Sequence, residues 1–565
     1  MTETVEIPGL KMELDIGVPM SDGTVLATDV YRPVGQEPAP ALLLRTPYDK
    51  RDVESQAYAH PAWYVAKGFA VVSQDVRGRW LSEGEFEPFA NEANDGAETI
   101  EWIARQPWCD GSVGMFGFSY PGATQMLAAL ESQTLKAMVP AMTGSSYCDG
   151  WTYRNGVLKL SFILTWVAGL GRDQALRAGD VQAADEFDAL LADAPEFHAT
   201  LPLREAVPAH LLRYVPYLHD WLSHRDYDDY WRAHSPMERY SDISAPALHI
   251  AGWYDLFLEP TLDNYAALAA QGRAPQMLLV GPWVHMPWVR QVGEFDFGEA
   301  AASTIDELQC RFFERWLRGI ENGLDAEPAV RLFVLGSNRW LYSPSWPPPS
   351  HETNTFYLHS DGRAASLNGT GQLTRERPQH SRTVDGFPAN PHAPVASLGG
   401  RGADNPAVAP AGAADQRPEE FRNDVLVFSS EPLHEPLTLA GYPEVCLHVA
   451  ANVPSADFVV RLVDVSADGR AIGLCDAIER VEVASGAVVE LKLRLSPIAN
   501  CFQVGHRIRL EVTGSDFPTH ERNPHCPMEP FDARATDFRV ASQFVFHGGE
   551  YLSRLSLPIL DESIE

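Results

Sequence analysis

Gly-Phe-Ser-Tyr-Pro-Gly, residues 117–122, is the stretch that decides the fold of this chain. The apolar run Val-Gly-Met-Phe, residues 113–116, comes directly before it, and a run with helical character, residues 123–130, follows it. This order predicts a strand, a sharp turn of small residues and a helix, with the hydroxyl of Ser119 presented at the turn. The alternative is an ordinary glycine turn before a helix, because Gly122 comes one residue later than the Gly-x-Ser-x-Gly spacing requires.

The segments around this stretch alternate between strand and helix. Residues 39–46, 68–75 and 136–141 have the apolar composition of buried strands, and residues 93–104 place apolar side chains at helical spacing. Residues 11–32 predict a hairpin. Buried strands that alternate with helices predict a mostly parallel sheet covered on both faces. Together with the serine turn, they predict an α/β fold with an α/β-hydrolase core.

Two later segments depart from this alternation. Helical runs and several tryptophans between residues 145 and 240 predict a helical cap domain inserted into the core. Beyond residue 350, short alternating strands separated by turns predict a C-terminal β jelly-roll domain. The predicted domains are residues 1–144 with 241–350 for the hydrolase, 145–240 for the cap and 351–565 for the jelly roll.

The positions of one aspartate and one histidine support a hydrolase mechanism. A serine becomes a useful nucleophile when a histidine takes its proton and a carboxylate orients that histidine. In α/β-hydrolases the chain order is serine, acid, histidine. Asp255 and His285 each follow an apolar strand-like run, so the sequence predicts a triad of Ser119, Asp255 and His285. Glu259 and Asp263 are rival acids, but we expect them inside the helix that follows.

Acyl transfer also needs hydrogen-bond donors aimed at the developing oxyanion. The backbone N–H of Tyr120, directly after the nucleophile, is one such donor in this fold. The second donor comes from the loop after an early strand, residues 45–50, which offers no Gly-Gly pair. The side chain of Tyr48 is therefore a candidate for the second donor, and a packing role for Tyr48 is an equal alternative.

Composition restricts the compartment and the partners of this 565-residue chain. No apolar run is long enough to cross a membrane and no secretory leader is visible, so we expect a cytoplasmic protein with its seven scattered cysteines reduced. A net charge of −32 argues against nucleic acid and anionic membranes as partners. The expected partner is a small-molecule ester or amide substrate, and a homodimer is left open.

Motifs for metals and cofactors are missing from the sequence. It has no Cys-x-x-Cys or His-Glu-x-x-His pattern, and no Gly-x-Gly-x-x-Gly or phosphate-binding loop. We therefore expect no metal and no cofactor.

An ordered set of segments resembles one family of α/β-hydrolases, which contains cocaine esterase, glutaryl acylase, α-amino acid ester hydrolase and X-prolyl dipeptidyl peptidase. The segments are Thr46-Pro47-Tyr48, Asp75-Val76-Arg77-Gly78, residues 94–102, Gln106-Pro107-Trp108, Gly117-Phe118-Ser119-Tyr120, Gly252-Trp253-Tyr254-Asp255, residues 281–285, residues 394–400, residues 424–428 and Gly505-His506-Arg507-Ile508. They extend over nearly the whole chain, and in length the chain looks most similar to the cocaine esterase branch.

The resemblance implies the same three-part architecture, the same triad and an oxyanion hole formed by the Tyr48 hydroxyl and the Tyr120 N–H. It also implies an aromatic acyl pocket, and Trp151, Trp166 and Phe257 stand at comparable positions; their alternative role is plain hydrophobic core. The α-amino acid ester hydrolases carry acidic residues shortly after the catalytic aspartate. Here residues 256–258 are Leu-Phe-Leu, which disfavours that specificity and favours an apolar or aromatic acyl group.

These observations favour a serine carboxylesterase that works through an acyl-enzyme. An amide-cleaving acylase or aminopeptidase with the same machinery is the first alternative. A non-catalytic binding protein built on the jelly roll is the second, and the intact candidate triad argues against it.

Overall fold

The computed structural model of the protein describes residues 3–560, apart from residues 36–37, 52–56, 350–351, 380, 403–409 and 483–485. The first elements are β1 (Glu3–Ile7), β2 (Leu10–Pro19), β3 (Val25–Pro33), β4 (Ala39–Thr46), α1 (Pro61–Ala66), β5 (Ala70–Asp75), α2 (Glu92–Ala104), β6 (Cys109–Phe118), α3 (Tyr120–Glu131) and β7 (Leu135–Ala141). The predicted hairpin, buried strands and helices of this region are confirmed, and the strand predicted over residues 39–46 has those bounds.

A mostly helical segment follows β7. Its elements are β8 (Tyr153–Arg154), β9 (Val157–Leu158), α4 (Leu160–Arg177), α5 (Val181–Ala192), α6 (Ala194–Ala199), α7 (Tyr217–Ser223) and α8 (Asp229–Arg232). The chain then returns to the sheet through β10 (Ala247–Tyr254), α9 (Leu258–Gln271), β11 (Gln276–Val284), β12 (Gln291–Val292), β13 (Phe295–Asp296), α10 (Ile305–Arg318), β14 (Val330–Val334) and β15 (Arg339–Ser343). A helical insertion within an α/β core is thus confirmed, and the β8–β9 hairpin is an addition that the sequence did not reveal.

The large sheet has the strand order β1-β2-β3-β5-β4-β6-β7-β10-β11-β14-β15. Strands β5, β4, β6, β7, β10, β11 and β14 run parallel, while the strands at the two margins pair antiparallel. All eight residues of β4 and all eight of β10 are buried, as expected for strands covered by helices on both faces. Because these strands are parallel, the C-terminal ends of β6, β10 and β11 lie along the same edge of the sheet, the one formed by the carboxyl ends of the parallel strands.

The C-terminal half is built almost entirely from antiparallel strands. Its elements are β16 (Glu352–His359), β17 (Gln372–Thr374), β18 (Thr383–Ala389), α11 (Arg417–Glu420), β19 (Val425–Ser429), β20 (Leu437–Gly441), β21 (Glu444–Ala451), β22 (Ser455–Val465), β23 (Ala471–Glu482), β24 (Val489–Arg494), β25 (Ile498–Phe502), β26 (Arg507–Thr513), β27 (Ala541–His547) and β28 (Arg554–Ile559). The jelly-roll prediction for this half is confirmed. Strands β16, β17, β18, β20, β23, β25 and β28 were not anticipated from the sequence.

The two halves share an apolar core and backbone hydrogen bonds. One buried apolar cluster contains Trp253 and Phe333 of the hydrolase half together with Leu439 and Leu447 of the C-terminal half. Directly after β14, the N–H of Leu335 donates to Ala499 O at 3.0 Å, which lies on β25 of the C-terminal half. The sheet edge that carries the end of β10 is therefore braced by the jelly roll.

A cluster of charged side chains joins three parts of the molecule. Arg154, from the helical insertion, donates to the carboxylates of Glu259 on α9 and Asp476 on β23. Arg401 donates to Asp476 at 2.7 Å, and the hydroxyl of Ser496 donates to Glu259. Burial opposes the ionisation of Glu259, yet these neighbours hold its pKa below its ordinary value. The cluster is therefore a set of mutually neutralised charges between insertion, core and jelly roll.

Candidate active site

Ser119 occupies a strained backbone position between β6 and α3. Its φ of 64° and ψ of −128° lie outside the helical and extended regions that residues with a side chain normally adopt. The N–H of Ser119 donates to Ala141 O at 3.0 Å and to Met142 O at 3.2 Å, which holds the turn against the end of β7. Strain of this kind persists only where the surroundings enforce it, and it presents the side chain at the top of the turn.

The glycines on either side of Ser119 are required by close packing. A Cβ on Gly117, whose φ is 140°, would lie 2.5 Å from Pro121 Cβ. A Cβ on Gly122 would lie 2.7 Å from Thr143 Cβ. Although Gly122 is one position later than the usual spacing, it performs the same steric task, because it lets α3 pack against the segment after β7.

Asp255 and His285 form a buried hydrogen-bonded pair at the same edge of the sheet. Asp255 follows β10 and is fully buried, and His285 follows β11 and is 5% exposed. The Nδ1 of His285 lies 2.7 Å from Oδ1 of Asp255. A carboxylate at this position holds the imidazole in one orientation, with Nε2 as the nitrogen that can accept a proton. Glu259 and Asp263 lie within α9, as the sequence predicted for the two rival acids.

The serine turn and the histidine are neighbours in space. The ring of Phe118, which directly precedes Ser119, lies 5.4 Å from the ring of His285. Ser119 itself is 6% exposed. The three side chains predicted as a triad therefore follow neighbouring strand ends, in a site that excludes most of the solvent.

The hydroxyl of Tyr48 is held by a tryptophan from the helical insertion. Nε1 of Trp166, on α4, donates to the Tyr48 oxygen at 2.8 Å. The N–H of Tyr48 donates to the hydroxyl of Thr46 at 3.0 Å, which fixes the start of the loop after β4. Because the Tyr48 oxygen accepts a hydrogen bond from Trp166, its own O–H remains a donor.

Tyr120 begins α3 and is anchored by its side chain. Its hydroxyl donates to Glu92 at 2.9 Å and accepts from the N–H of Phe89 at 2.9 Å. Glu92 also pairs with Arg45 of β4 at 2.7 Å. Burial raises the pKa of Glu92, although the Arg45 guanidinium opposes this shift. The side chain of Tyr120 is thus fully engaged in the core, and only its backbone remains for a role at the site.

The aromatic residues predicted to line a pocket pack against one another beside His285. Trp151 and Phe257 stack with ring centroids 4.2 Å apart, and Trp151 lies 5.7 Å from Trp166. The ring of Phe257 lies 5.3 Å from that of His285. Phe162 on α4 completes this group, 5.3 Å from Phe257. The structure brings all three predicted residues together next to the Asp255–His285 pair.

Sequence reasoning missed two features of this site. Phe162 joins the aromatic group, and Lys159 donates from Nζ to the carbonyl of Leu256, the residue after Asp255. A signal for Lys159 was present, since it is a single charged residue in the apolar run of residues 157–164. Within the described ranges, no three or more His, Cys, Asp or Glu side chains are grouped so that they could hold a metal ion.

Comparison with known proteins gives two family matches along the chain. Residues 22–287 match the X-Pro dipeptidyl-peptidase (S15) family, and residues 322–556 match the X-Pro dipeptidyl-peptidase C-terminal non-catalytic domain. The chain is also 36% identical to cocaine esterase from Rhodococcus sp. (strain MB1 Bresler), over 97% of this chain and 98% of that protein.

Two solved structures share the fold over almost the full length. An aminopeptidase from the marine sediment archaeon Thaumarchaeota archaeon has a TM-score of 0.79 and 24% identity, and covers 99% of this chain and 97% of its own. An α-amino acid ester hydrolase also has a TM-score of 0.79 and 24% identity, with 98% of each chain covered. None of the helices in the described part of this chain has the length and apolar content that a membrane-spanning helix needs.

Proposed function

The chain belongs to the serine hydrolase family that includes cocaine esterase and the X-Pro dipeptidyl-peptidases, and from this we propose that it cleaves carboxylic esters with Ser119 as nucleophile. Membership makes it a hydrolytic enzyme of the esterase type. The proposal concerns the nucleophile, the residues that assist it and the acyl group of the substrate.

The observation that carries the proposal is the backbone of Ser119. A serine with φ of 64°, between two glycines that have no room for a Cβ, is costly for folding and useful for presenting a nucleophile. The buried hydrogen bond of 2.7 Å between His285 and Asp255 at the same sheet edge supplies the base that a serine needs.

In the proposed mechanism, the hydroxyl oxygen of Ser119 attacks the ester carbonyl while its proton passes to Nε2 of His285. Asp255 keeps the imidazole oriented and stabilises its positive charge. The O–H of Tyr48 and the N–H of Tyr120 donate to the oxyanion. The tetrahedral intermediate then collapses, and His285 returns the proton to the departing alkoxide. Water, deprotonated by His285, then attacks the acyl-enzyme. The second tetrahedral intermediate collapses, His285 returns the proton to the Ser119 oxygen, and the acid is released.

The aromatic group beside His285 suggests the class of acyl chain. Trp151, Trp166 and Phe257 form an apolar aromatic group, which suits an aromatic or branched acyl group better than a charged one. We also propose that the three domains have the limits stated above, with the helical insertion supplying the two tryptophans and the hydrolase core supplying the triad.

The test is hydrolysis of p-nitrophenyl acetate, butyrate and benzoate by the wild type and by Ser119→Ala. We expect the wild type to hydrolyse these esters and to hydrolyse the benzoate faster than the acetate. Ser119→Ala should show no hydrolysis above background and should have the melting temperature of the wild type. Ser241→Ala, at an exposed serine, is the matched control and should keep full activity. Turnover by Ser119→Ala at the wild-type rate would eliminate the proposed nucleophile.

A further inference from the structure

Lys159 is a buried lysine at the base of the aromatic group. Its side chain lies directly before α4 and the residue is 7% exposed. Nζ donates to the carbonyl of Leu256 at 2.8 Å and to the carbonyl of Gly150 at 2.9 Å. A lysine that is almost fully buried is rare unless its charge is compensated. Here two backbone carbonyl oxygens accept hydrogen bonds from the buried ammonium group.

The two hydrogen bonds of this ammonium group are made to residues next to two different parts of the proposed catalytic site. Leu256 directly follows Asp255, and Gly150 directly precedes Trp151. Lys159 itself occupies the N-terminal boundary position of α4, the helix whose Trp166 donates to the Tyr48 hydroxyl. One side chain therefore fastens the turn of the catalytic acid, the loop of the acyl pocket and the helix that holds the oxyanion donor.

The charges around Lys159 favour its protonated form next to the acid. Asp255, Glu259 and Asp149 face it with negative charge, and Arg154 faces it with positive charge. The C-terminal half adds further charged and titratable groups to the lining of the same cavity: Arg401, Arg461, Asp476, Asp516 and His520. Its Nζ also lies 5.0 Å from the centroid of the Phe257 ring, within cation–π range. The second carboxylate oxygen of Asp255, Oδ2, is buried without a hydrogen-bond partner among the described residues, so its negative charge depends on nearby positive charge.

We propose that Lys159 is a positioning residue for the esterase reaction, which holds the backbone after Asp255 and thereby sets the orientation of the Asp255–His285 pair. The inference rests on the proposed function, because it assigns Lys159 a task within that triad. A purely structural lysine would change the stability of the fold and leave the catalytic rate of the folded enzyme unaltered.

The proton on Lys159 makes this role sensitive to pH. Burial lowers the pKa of Lys159 to about 7, against the opposing effects of Glu259 and Asp255. Below that pH the ammonium makes charge-assisted hydrogen bonds, which are roughly twice as strong as neutral ones. Above it, the neutral amine still donates to both carbonyls but no longer offsets the charge of Asp255. The catalytic rate is therefore expected to decline on the alkaline side.

Three variants test this role through kcat and KM on a p-nitrophenyl ester between pH 6 and 9. Lys159→Met keeps the length and apolar stem and removes the donor. Lys159→Arg keeps a permanent charge, and its planar fork can reach two carbonyls. Lys136→Met, at an exposed lysine of β7, is the matched control and should behave as the wild type.

A misplacement of about 1 Å near a reacting group can cost about a hundredfold in rate. We therefore expect Lys159→Met to lower kcat by about tenfold to a hundredfold at pH 7 with KM changed by less than about threefold. The wild-type kcat should fall severalfold between pH 7 and 9, and Lys159→Arg should remove that fall.

Three results would each overturn the proposal. They are a folded Lys159→Met with kcat within twofold of the wild type, a Lys159→Arg profile that falls as the wild type does, and a wild-type kcat that stays level between pH 7 and 9. The last needs no variant, so it holds even if both variants fail to fold. If Ser119→Ala is inactive while Lys159→Met is normal, only this inference fails; an active Ser119→Ala removes the proposed function itself.

Discussion

Replacing Trp166 with phenylalanine removes one hydrogen bond and keeps most of the aromatic surface. In the wild type, Nε1 of Trp166 donates to the Tyr48 oxygen at 2.8 Å. The indole also stacks on Trp221 at 5.8 Å and on Phe162 at 6.0 Å, and a phenyl ring preserves much of that packing. The substitution therefore acts mainly on the direction in which the Tyr48 hydroxyl points.

The size of the effect follows from the two hydrogen bonds that meet at this oxygen. Loss of an oxyanion donor costs about 3 kcal/mol, so Tyr48→Phe should lower kcat by about a hundredfold. Loss of a neutral orienting hydrogen bond costs about 1 kcal/mol, so Trp166→Phe should lower kcat about fivefold. If Trp166 acts through the Tyr48 hydroxyl, it can do nothing once that hydroxyl is gone.

The assay is a double-mutant cycle with kcat for p-nitrophenyl acetate, whose small acyl group depends little on the aromatic pocket. We expect the double variant to be about as slow as Tyr48→Phe alone, instead of about five hundredfold slower than the wild type, because coupled residues are not additive. Trp63→Phe, on α1, which packs against β3 and β5, is the control for losing an indole.

Two outcomes would refute this reasoning. A double variant whose loss equals the product of the two single losses would show that Trp166 and Tyr48 act independently. A Trp166→Phe enzyme with normal kcat would show that the hydroxyl of Tyr48 is oriented without the indole.

Phe257→Leu should lower the rate ratio of p-nitrophenyl benzoate to acetate by about tenfold, since a pocket contact is worth about 1–3 kcal/mol in selectivity; a ratio unchanged from the wild type would place the acyl group elsewhere. Glu92→Gln should lower the free energy of unfolding in urea by about 3 kcal/mol, because it removes the nearer anionic partner of the buried Arg45 and leaves Asp95 at 4.0 Å; a loss below 1 kcal/mol would argue against a firm pair. Burial lowers the pKa of His249 from 6.5 to about 4, so the unfolded chain takes up a proton first and stability is lost as the pH falls through that interval. His249→Gln should lessen the difference in unfolding free energy between pH 7 and pH 4.5, and an undiminished difference would assign it to other groups.

The parts of the fold that were predictable from the sequence are those set by local pattern. The strand over residues 39–46 begins with a short apolar run, residues 39–44, and it forms a buried parallel strand with those limits. The serine turn was predictable because close packing around it leaves no room for a Cβ at two nearby positions, and glycine occupies both in the sequence. The proposed triad rests on chain order, since parallel strands bring successive strand ends to the same edge.

What could not be predicted depends on contacts between distant residues. Trp166 and Tyr48 are 118 positions apart, and no spacing rule connects them. Strands such as β17 and β20 are short, and their pairing is fixed by partners far along the chain rather than by their own alternation. Lys159 was visible as a charge in an apolar run, but its two carbonyl partners become evident only when α9 and the loop before Trp151 are in place.

The charged cluster of Arg154, Glu259 and Asp476 affects whether the domains of this enzyme can be separated. Removing the C-terminal half would delete Asp476 and Arg401 together, and it would leave Arg154 and Glu259 at a newly exposed face beside the catalytic acid. We therefore expect that the hydrolase core cannot be excised as an independent module, and that a chimaera with a relative's C-terminal half needs matching charges at these positions. A shortened gene would yield a catalytic half in which the Arg154–Glu259 ion pair has lost Asp476 and Arg401 and faces solvent, however intact its serine, histidine and aspartate remain.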